Sequence, residues 1–329
     1  MSRTDSCFPG FFRSCGKAAR MALSPVLMAA RSVGGQAVVE GVMMRNGDRL
    51  AIAVRKPDGS ITLEKREWFT FSHLSPLMRK PFVRGFFVLI ETLVNGIKSL
   101  NFSTQVATEG DGEEEIKPWQ MALTVALSIA LALGLFVVVP HLFSLGVEAL
   151  GFGGDTSSLS FHAWDGLFKL SIFVAYIWAI SRIPDIKRVF QYHGAEHKTI
   201  WAYEEGQELS PGTARPFSRL HPRCGTAFLL FVLTLSILLH ALLIPLLLAI
   251  YAPEGAVFRQ MYVVFAKFFM MIPVSAIAYE LIKYTGQKGA RLCRVLCWPG
   301  LMLQYLTTKE PDDSQLEVAI AALNGAVDN

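Results

Sequence analysis

Two short motifs hold most of the chemistry that this 329-residue chain can offer: Gln191-Tyr192-His193-Gly194-Ala195-Glu196-His197-Lys198 and, further on, His221-Pro222-Arg223-Cys224. Three of the seven histidines fall within them. His193 and His197, spaced i, i+4, project from one side of a helix, where both imidazoles can reach the same metal ion. Glu196 completes the order His-x-x-Glu-His, the reverse of the zinc-protease signature. In that chemistry the glutamate is not a ligand; it accepts a proton from water that the ion has made acidic. His221 and Cys224, three apart and just ahead of a long apolar run, are the candidate third and fourth ligands. Mixed imidazole and thiolate donors favour zinc, with iron as the other ion they would accept.

Ligand number decides what such a site does. Four ligands, His193, His197, His221 and Cys224, would close a tetrahedral site, and closed sites are usually structural. Three would leave a position for water, and Glu196 would then act as general base. The bland readings are that a His-x-x-x-His pair arises by chance in long chains, and that Glu196 beside Lys198 is a supporting or surface carboxylate. Spacing does not choose between them. Glu280 is a weaker candidate for an extra ligand, and Glu40, Arg45, Arg84 and Glu91 read first as ion-pair partners.

The elements that must position these residues are those of a membrane protein. Hydrophobic residues make up 52% of the chain and charged residues only 18%, with a mean hydropathy of +0.38. A soluble domain carries about 25% charge, and here the deficit is concentrated. No Asp, Glu, Lys or Arg occurs from Pro118 to Val147 or from Cys224 to Pro253. A bilayer core needs about 20 apolar residues to cross it. Those windows exclude a soluble enzyme, a disordered chain and a secreted disulfide scaffold, and five cysteines are too few for a disulfide framework.

Four spans are expected, over about 119–139, 162–180, 226–250 and 260–281. Asp165 and Lys169 share a helix face in the second as a neutralising pair. His240 in the third reads as a hydrogen-bonded interior histidine, and Lys267 in the fourth either snorkels or faces the bundle. Between spans two and three lie Arg182, Lys187, Arg188, Lys198, Arg215, Arg219 and Arg223, whereas the connection between spans one and two has no Lys or Arg. The positive-inside rule therefore places both termini, and a large loop from 182 to 224, in the cytoplasm.

The remaining stretches are read as follows. Residues 1–32, including Cys7 and Cys15, form an amphipathic N-terminal segment rather than a signal peptide. Residues 33–70 form a cytoplasmic β-meander of three strands, punctuated by Asn46-Gly47 and Pro57-Asp58-Gly59. Residues 81–100, apolar but carrying Arg84, Glu91 and Lys98, form an interfacial or re-entrant helix, and an acidic linker follows at 109–115. Transmembrane helices occupy 118–181 and 225–282, on either side of the 182–224 loop that carries the metal site. Residues 283–329 are cytoplasmic helices. Ser314 to Glu317 opens the last of these as a capping box and Asn324-Gly325 closes it; Cys293 and Cys297 are packing residues.

Several separated motifs, in this order, resemble the YqhQ-like family of bacterial membrane proteins. They are Gly35-Gln36-Ala37, Glu40-Gly41-Val42-Met43-Met44-Arg45, Arg84-Gly85, Tyr192 to Lys198, His221 to Thr226, and Leu306 to Asp313. The family is one of unknown function, often labelled a predicted metal-dependent enzyme. The resemblance implies a bacterial inner-membrane location and supports metal binding, but supplies no substrate.

The resulting expectation is an α-helical polytopic membrane protein, N-in and C-in, with a small antiparallel meander and interfacial helices. Its function would be that of a zinc-dependent hydrolase at the cytoplasmic membrane face, using Glu196 with His193, His197, His221 and Cys224. The alternative is a non-enzymatic assembly factor or adaptor of a translocation or envelope complex, with a structural metal. The partners expected are the lipid bilayer and either a membrane complex or a second copy, with no nucleic acid.

Overall fold

Apolar runs too long for a globular core and a short β-prone stretch must be accommodated by one chain, and they separate into a helical bundle and a layered polar part. The structure is a computed structural model that describes residues 33–71, 74–109, 118–222, 224–288 and 290–328. The readings of the N-terminal segment and most of the acidic linker lie outside the described residues, as do the side chains of Cys293 and Cys297.

The meander has four strands rather than three: β1 (Val33–Val38), β2 (Gly41–Asn46), β3 (Arg49–Arg55) and β4 (Ile61–Glu67), antiparallel and in sequence order. The extra turn falls at Val39-Glu40, inside what reads as one β-prone run, and pairs Val38 with Gly41. Glu40 takes a positive φ of 49° there without being glycine, so no turn residue announces it. The two expected turns do form, with Gly47 and Gly59 at positive φ.

Alternation along the strands sends side chains to two buried faces. Val42, Met44, Ala51 and Ala53 meet helices on one side, while Met43, Leu50, Ile52 and Val54 meet a helix on the other. The second covering helix is α1 (Arg84–Ala107), which extends a further two turns beyond the expected 81–100. Its inward face is small and polar, namely Gly85, Glu91, Asn95, Gly96, Ser99 and Ser103, while Leu93 and Leu100 are exposed. Glu91 accepts hydrogen bonds from Thr70 and from the Phe71 amide, and Asn95 pairs with the Phe69 backbone.

Four helical stretches are long and apolar enough to cross a membrane: Ala122–Ala149, Leu159–Ile180, Phe228–Ile250 and Ala256–Leu281. The first contains α2 (Pro118–Leu133), a π-turn at Gly134–Val138 and α3 (Val139–Ala149). Pro140 has no amide hydrogen to give its preceding turn, and the π-turn absorbs that defect and carries the helix ten residues past the expected end. Next come α4 (Leu159–Ile180), α5 (Pro184–Glu204), the short α6 (Pro211–Ala214) and α7 (Gly225–Ile250). The loop expected at 182–224 is thus mostly helix. The fourth span is broken at Met270 into α8 (Ala256–Phe269) and α9 (Met271–Lys288), with Pro273 in the first turn of the second piece. Then α10 (Ala290–Thr307) packs on α7, and α11 (Asp313–Val327) lies on the sheet and on α5.

The cap of α11 is Asp312 with Gln315, not Ser314 with Glu317. The helix also runs through Asn324-Gly325, because Gly325 is packed against Leu63 and Ala51 with no room for a methyl group. Gly85 seats α1 against Tyr279 and Ala276 of α9, joining the layered part to the fourth span.

Candidate metal centre

Helix α5 starts with Pro184 and an acidic first turn, both favourable at a helix N-terminus. From Tyr192 to Ala202 it is almost wholly buried between β1, α11 and the segment ahead of α7. The i, i+4 spacing brings the His193 and His197 rings together, with centroids 4.4 Å apart. Cys224 caps the start of α7 and turns its sulfur back toward them, with His193 Nε2 at 3.1 Å from Sγ. Ligand atoms of His193, His197 and Cys224 all lie within 4.8 Å of one another.

The other nitrogen of each imidazole is committed. His193 Nδ1 lies 2.8 Å from the Thr307 carbonyl and His197 Nδ1 lies 2.5 Å from the Arg219 carbonyl. A carbonyl oxygen only accepts, so each Nδ1 carries a proton, and a neutral ring held this way turns its Nε2 lone pair away from the carbonyl. This is the outer support that metal-ligating histidines usually have. His197 Nε2 is buried and faces the Cys224 sulfur. Burial, with His193 nearby, lowers the His197 pKa to about 4, so the ring is neutral at pH 7. Burial alone would raise the Cys224 thiol, but His197 and Thr226 outweigh it and hold its pKa below the ordinary value. A neutral imidazole at His197 and an acidified thiol at Cys224 are the forms a metal takes.

Glu196 points from the same turn toward β1, where the Gly35 amide donates to its carboxylate. A Cβ at position 35 would lie 2.9 Å from Glu196 Oε1 and 2.7 Å from the Met43 carbonyl, so only glycine allows this approach. Oε2 is buried and has no hydrogen-bond partner. Burial, opposed by His193 and reinforced by Cys224, pushes the Glu196 pKa up to about 8. It is a carboxylic acid at neutral pH and can become a base only when a cation is beside it.

His221 takes a different place from the other three. Its ring lies 5.7 Å from that of His197 and 4.7 Å from Trp201, with Nε2 3.7 Å from a Glu204 oxygen. The three-residue group does not include it. The buried Gln304 clasps its backbone, accepting from the His221 amide at 2.8 Å and donating to its carbonyl at 2.9 Å. Glu280 accepts from Nε and Nη2 of Arg84 and is not a member of the three-residue group. Glu40 accepts from Arg188 and from the Tyr192 hydroxyl, which fixes α5 to the β1–β2 turn. Gly35, Thr307, Arg219 and Gln304 act here through backbone groups or an amide, and residue type alone carried no sign of that.

The family model described as "Protein of unknown function (DUF1385)" matches residues 80–329, more than half of the chain and every residue of the three-ligand group. The chain belongs to the DUF1385 family. It is also 35% identical over 303 residues to "Uncharacterized protein YqhQ" of Bacillus subtilis (strain 168), covering 88% of this chain and 91% of that relative. No solved structure matches the chain. The DUF1385 match begins after the four-stranded sheet, whereas the similarity to the Bacillus protein covers most of the whole length.

Proposed function

We propose that this protein is a membrane-bound, zinc-dependent hydrolase. The observation that carries the reading is Glu196 Oε2, a buried carboxylate oxygen without a hydrogen-bond partner, beside three convergent ligand atoms. His193, His197 and Cys224 would hold the ion, leaving its fourth position open, and zinc bound there supplies Lewis acidity. Glu196 takes the proton of an attacking water. Its high proton affinity lets it keep that proton and pass it to the leaving group. His221 then positions the segment before α7, held by Gln304, instead of binding metal.

A lipid-linked substrate suits the surroundings. An apolar groove of about 560 Å³, lined by Leu170, Ser171, Val174, Ala175, Trp178 and Leu306, runs along α4 to the end of α10. The next residue is Thr307, whose carbonyl holds His193. Arg182 stacks over Trp178 at 4.5 Å. Burial, joined by Arg219, Lys187 and Arg182, holds the Lys309 pKa below its usual value. Apolar walls and clustered cations fit an acyl chain with an anionic headgroup. With the basic residues on the inner side, both termini and this site would face the cytoplasm at a bacterial inner membrane, with α1 lying in the interface.

The test is elemental analysis of purified protein in mild detergent. About one zinc per chain is expected, retained in His221→Ala and lost in His193→Ala, His197→Ala and Cys224→Ser. Glu196→Gln should keep zinc and lose about a hundredfold or more of lipid hydrolysis. Wild-type protein without zinc after reconstitution would sink the proposal.

One observation favours the adaptor reading. The donor set draws on α5 and α7, with Thr307 and Arg219 behind the histidines, so an ion would staple four segments. In that case Glu196→Gln would leave function intact.

A further inference from the structure

The four spans enclose a second set of ionisable side chains, separate from the histidine and cysteine group. His141 of α3, Asp165 and Lys169 of α4, His240 of α7 and Lys267 of α8 are all buried. They form one continuous chain of contacts. His141 Nε2 lies 3.0 Å from Gln260 Oε1 and its Nδ1 lies 3.1 Å from Lys267 Nζ. Lys267 Nζ is 2.7 Å from Asp165 Oδ1, Lys169 Nζ is 3.3 Å from Asp165 Oδ2, and Lys169 Nζ is 3.4 Å from His240 Nδ1. The pair expected from the i, i+4 spacing of Asp165 and Lys169 is therefore only the middle of a network to which every span contributes.

Charge balance makes this network unusual. One carboxylate faces two ammonium groups, so with both lysines protonated and the histidines neutral the cluster carries one uncompensated positive charge. In a bilayer interior that charge is costly, and intramembrane ionisable groups mark ion or proton pathways. Relief comes from gaining an anion or losing a proton. An anion needs space, whereas the polar atoms here are already within bonding distance of one another; a proton needs none.

The chain has direction. Gln260 is half-buried, one turn from the start of α8, and His162 on α4 bonds through Nε2 to the Thr156 carbonyl in the 150–158 connection. Lys169 lies ten residues from the start of α4 and His240 ten residues from the end of α7, each about 15 Å in, near the middle of a core about 30 Å thick. Lysine only donates, so His240 Nδ1 accepts from Lys169 and its Nε2 carries a hydrogen. That nitrogen is buried and has no hydrogen-bond partner, so the chain stops at mid-depth.

We propose that Gln260, His141, Lys267, Asp165, Lys169 and His240 form a proton-binding site within the bundle, which loads and releases one proton through the end where residues 150–158 and 251–255 connect the helices. On release, the Nζ–H bond of Lys267 breaks and an Nδ1–H bond forms on His141. The Nε2 proton of His141 then leaves to water beside Gln260. The cluster is left with one ammonium, on Lys169, and one carboxylate, and is neutral. Loading reverses each transfer. The titratable groups facing Lys267 and Lys169 are His141 from α3, Asp165 and, one turn further out, His162 from α4, and His240 from α7.

The experiment is a pH step applied to sealed proteoliposomes of the full chain, adsorbed on a capacitive electrode. Wild type should give a transient current, because a proton moves part of the way across the bilayer. Lys267→Met removes the excess charge and leaves Asp165 paired with Lys169, and should abolish the transient. His141→Gln removes the relay but keeps an amide beside Gln260, and should slow it by about tenfold or more. His193→Ala should leave it unchanged, which separates this site from the metal centre. Wild-type currents no larger than those of empty liposomes would overturn the proposal, as would transients unaltered in both variants. Should Lys267→Met fail to fold, His141→Gln alone decides.

Discussion

At the scale of single residues, the protonation states around the three-ligand group make metal uptake a proton-releasing event. His197 is already neutral at pH 7 and gives up no proton, whereas Cys224 and Glu196, whose pKa stands at about 8, each have one to lose. Calorimetric zinc titrations in buffers of different ionisation enthalpy should therefore show about one to two protons released near pH 7. The number should fall as pH climbs past about 8, and Glu196→Gln should reduce it by up to one. The same carboxyl bears on the stability of the metal-free protein. Below pH 4.5 it is protonated whether the chain is folded or not. Between 4.5 and about 8 the unfolded chain releases the proton and the folded one keeps it, so this group lowers stability as pH rises. Metal-free Glu196→Gln should thus melt higher than wild type at pH 8, with the difference closing toward pH 4.5. An equal difference at both pH values would show that the carboxyl is not the cause.

Among the elements, α5 is the one on which the site depends, and its seating is tight. A Cβ on Gly194 would collide with the Lys309 carbonyl, just beyond the Thr307 carbonyl that holds His193. Gly194→Ala should cost about 1–3 kcal/mol and lower zinc content together with melting temperature, whereas Gly212→Ala, in open surroundings, should change neither. The helical spacing of His193, Glu196 and His197 was legible in the sequence because periodicity is a local property. So were the Gly47 and Gly59 turns, which depend on a residue that tolerates positive φ. The Val39-Glu40 turn was not, since Glu40 is held there by Arg188 and Tyr192, 148 and 152 residues away. Helix α1 runs past its expected end for a related reason: its buried face is polar, satisfied by the Phe69–Phe71 backbone and Thr70, and composition cannot foresee such partners. The displacement of His221 toward Glu204 is likewise a tertiary outcome; His-x-x-Cys spacing fits either arrangement.

Across the whole molecule, the basic residues between the second and third spans argue for one orientation. An impermeant maleimide should label Ser157→Cys and Glu208→Cys from opposite sides of sealed cells or vesicles, each measured against wild type because the chain has five native cysteines. Both positions are exposed. Labelling from one side alone would contradict four crossings. The layered part has a further consequence, which concerns the order in which the chain is made. One face of the sheet is covered by Leu316, Ala319, Ala322, Leu323 and Ala326 of α11, a helix synthesised after all four long apolar stretches. At about 5–20 residues per second, the strands wait on the order of tens of seconds for that cover, while every apolar helix between them is being threaded out. During that interval Val42, Met44, Ala51 and Ala53 lack the α11 part of their lid, and α5 arrives only part-way through it. Nascent chains stalled before residue 313 should therefore be captured by holding chaperones, and release should coincide with the arrival of the 15 residues of α11.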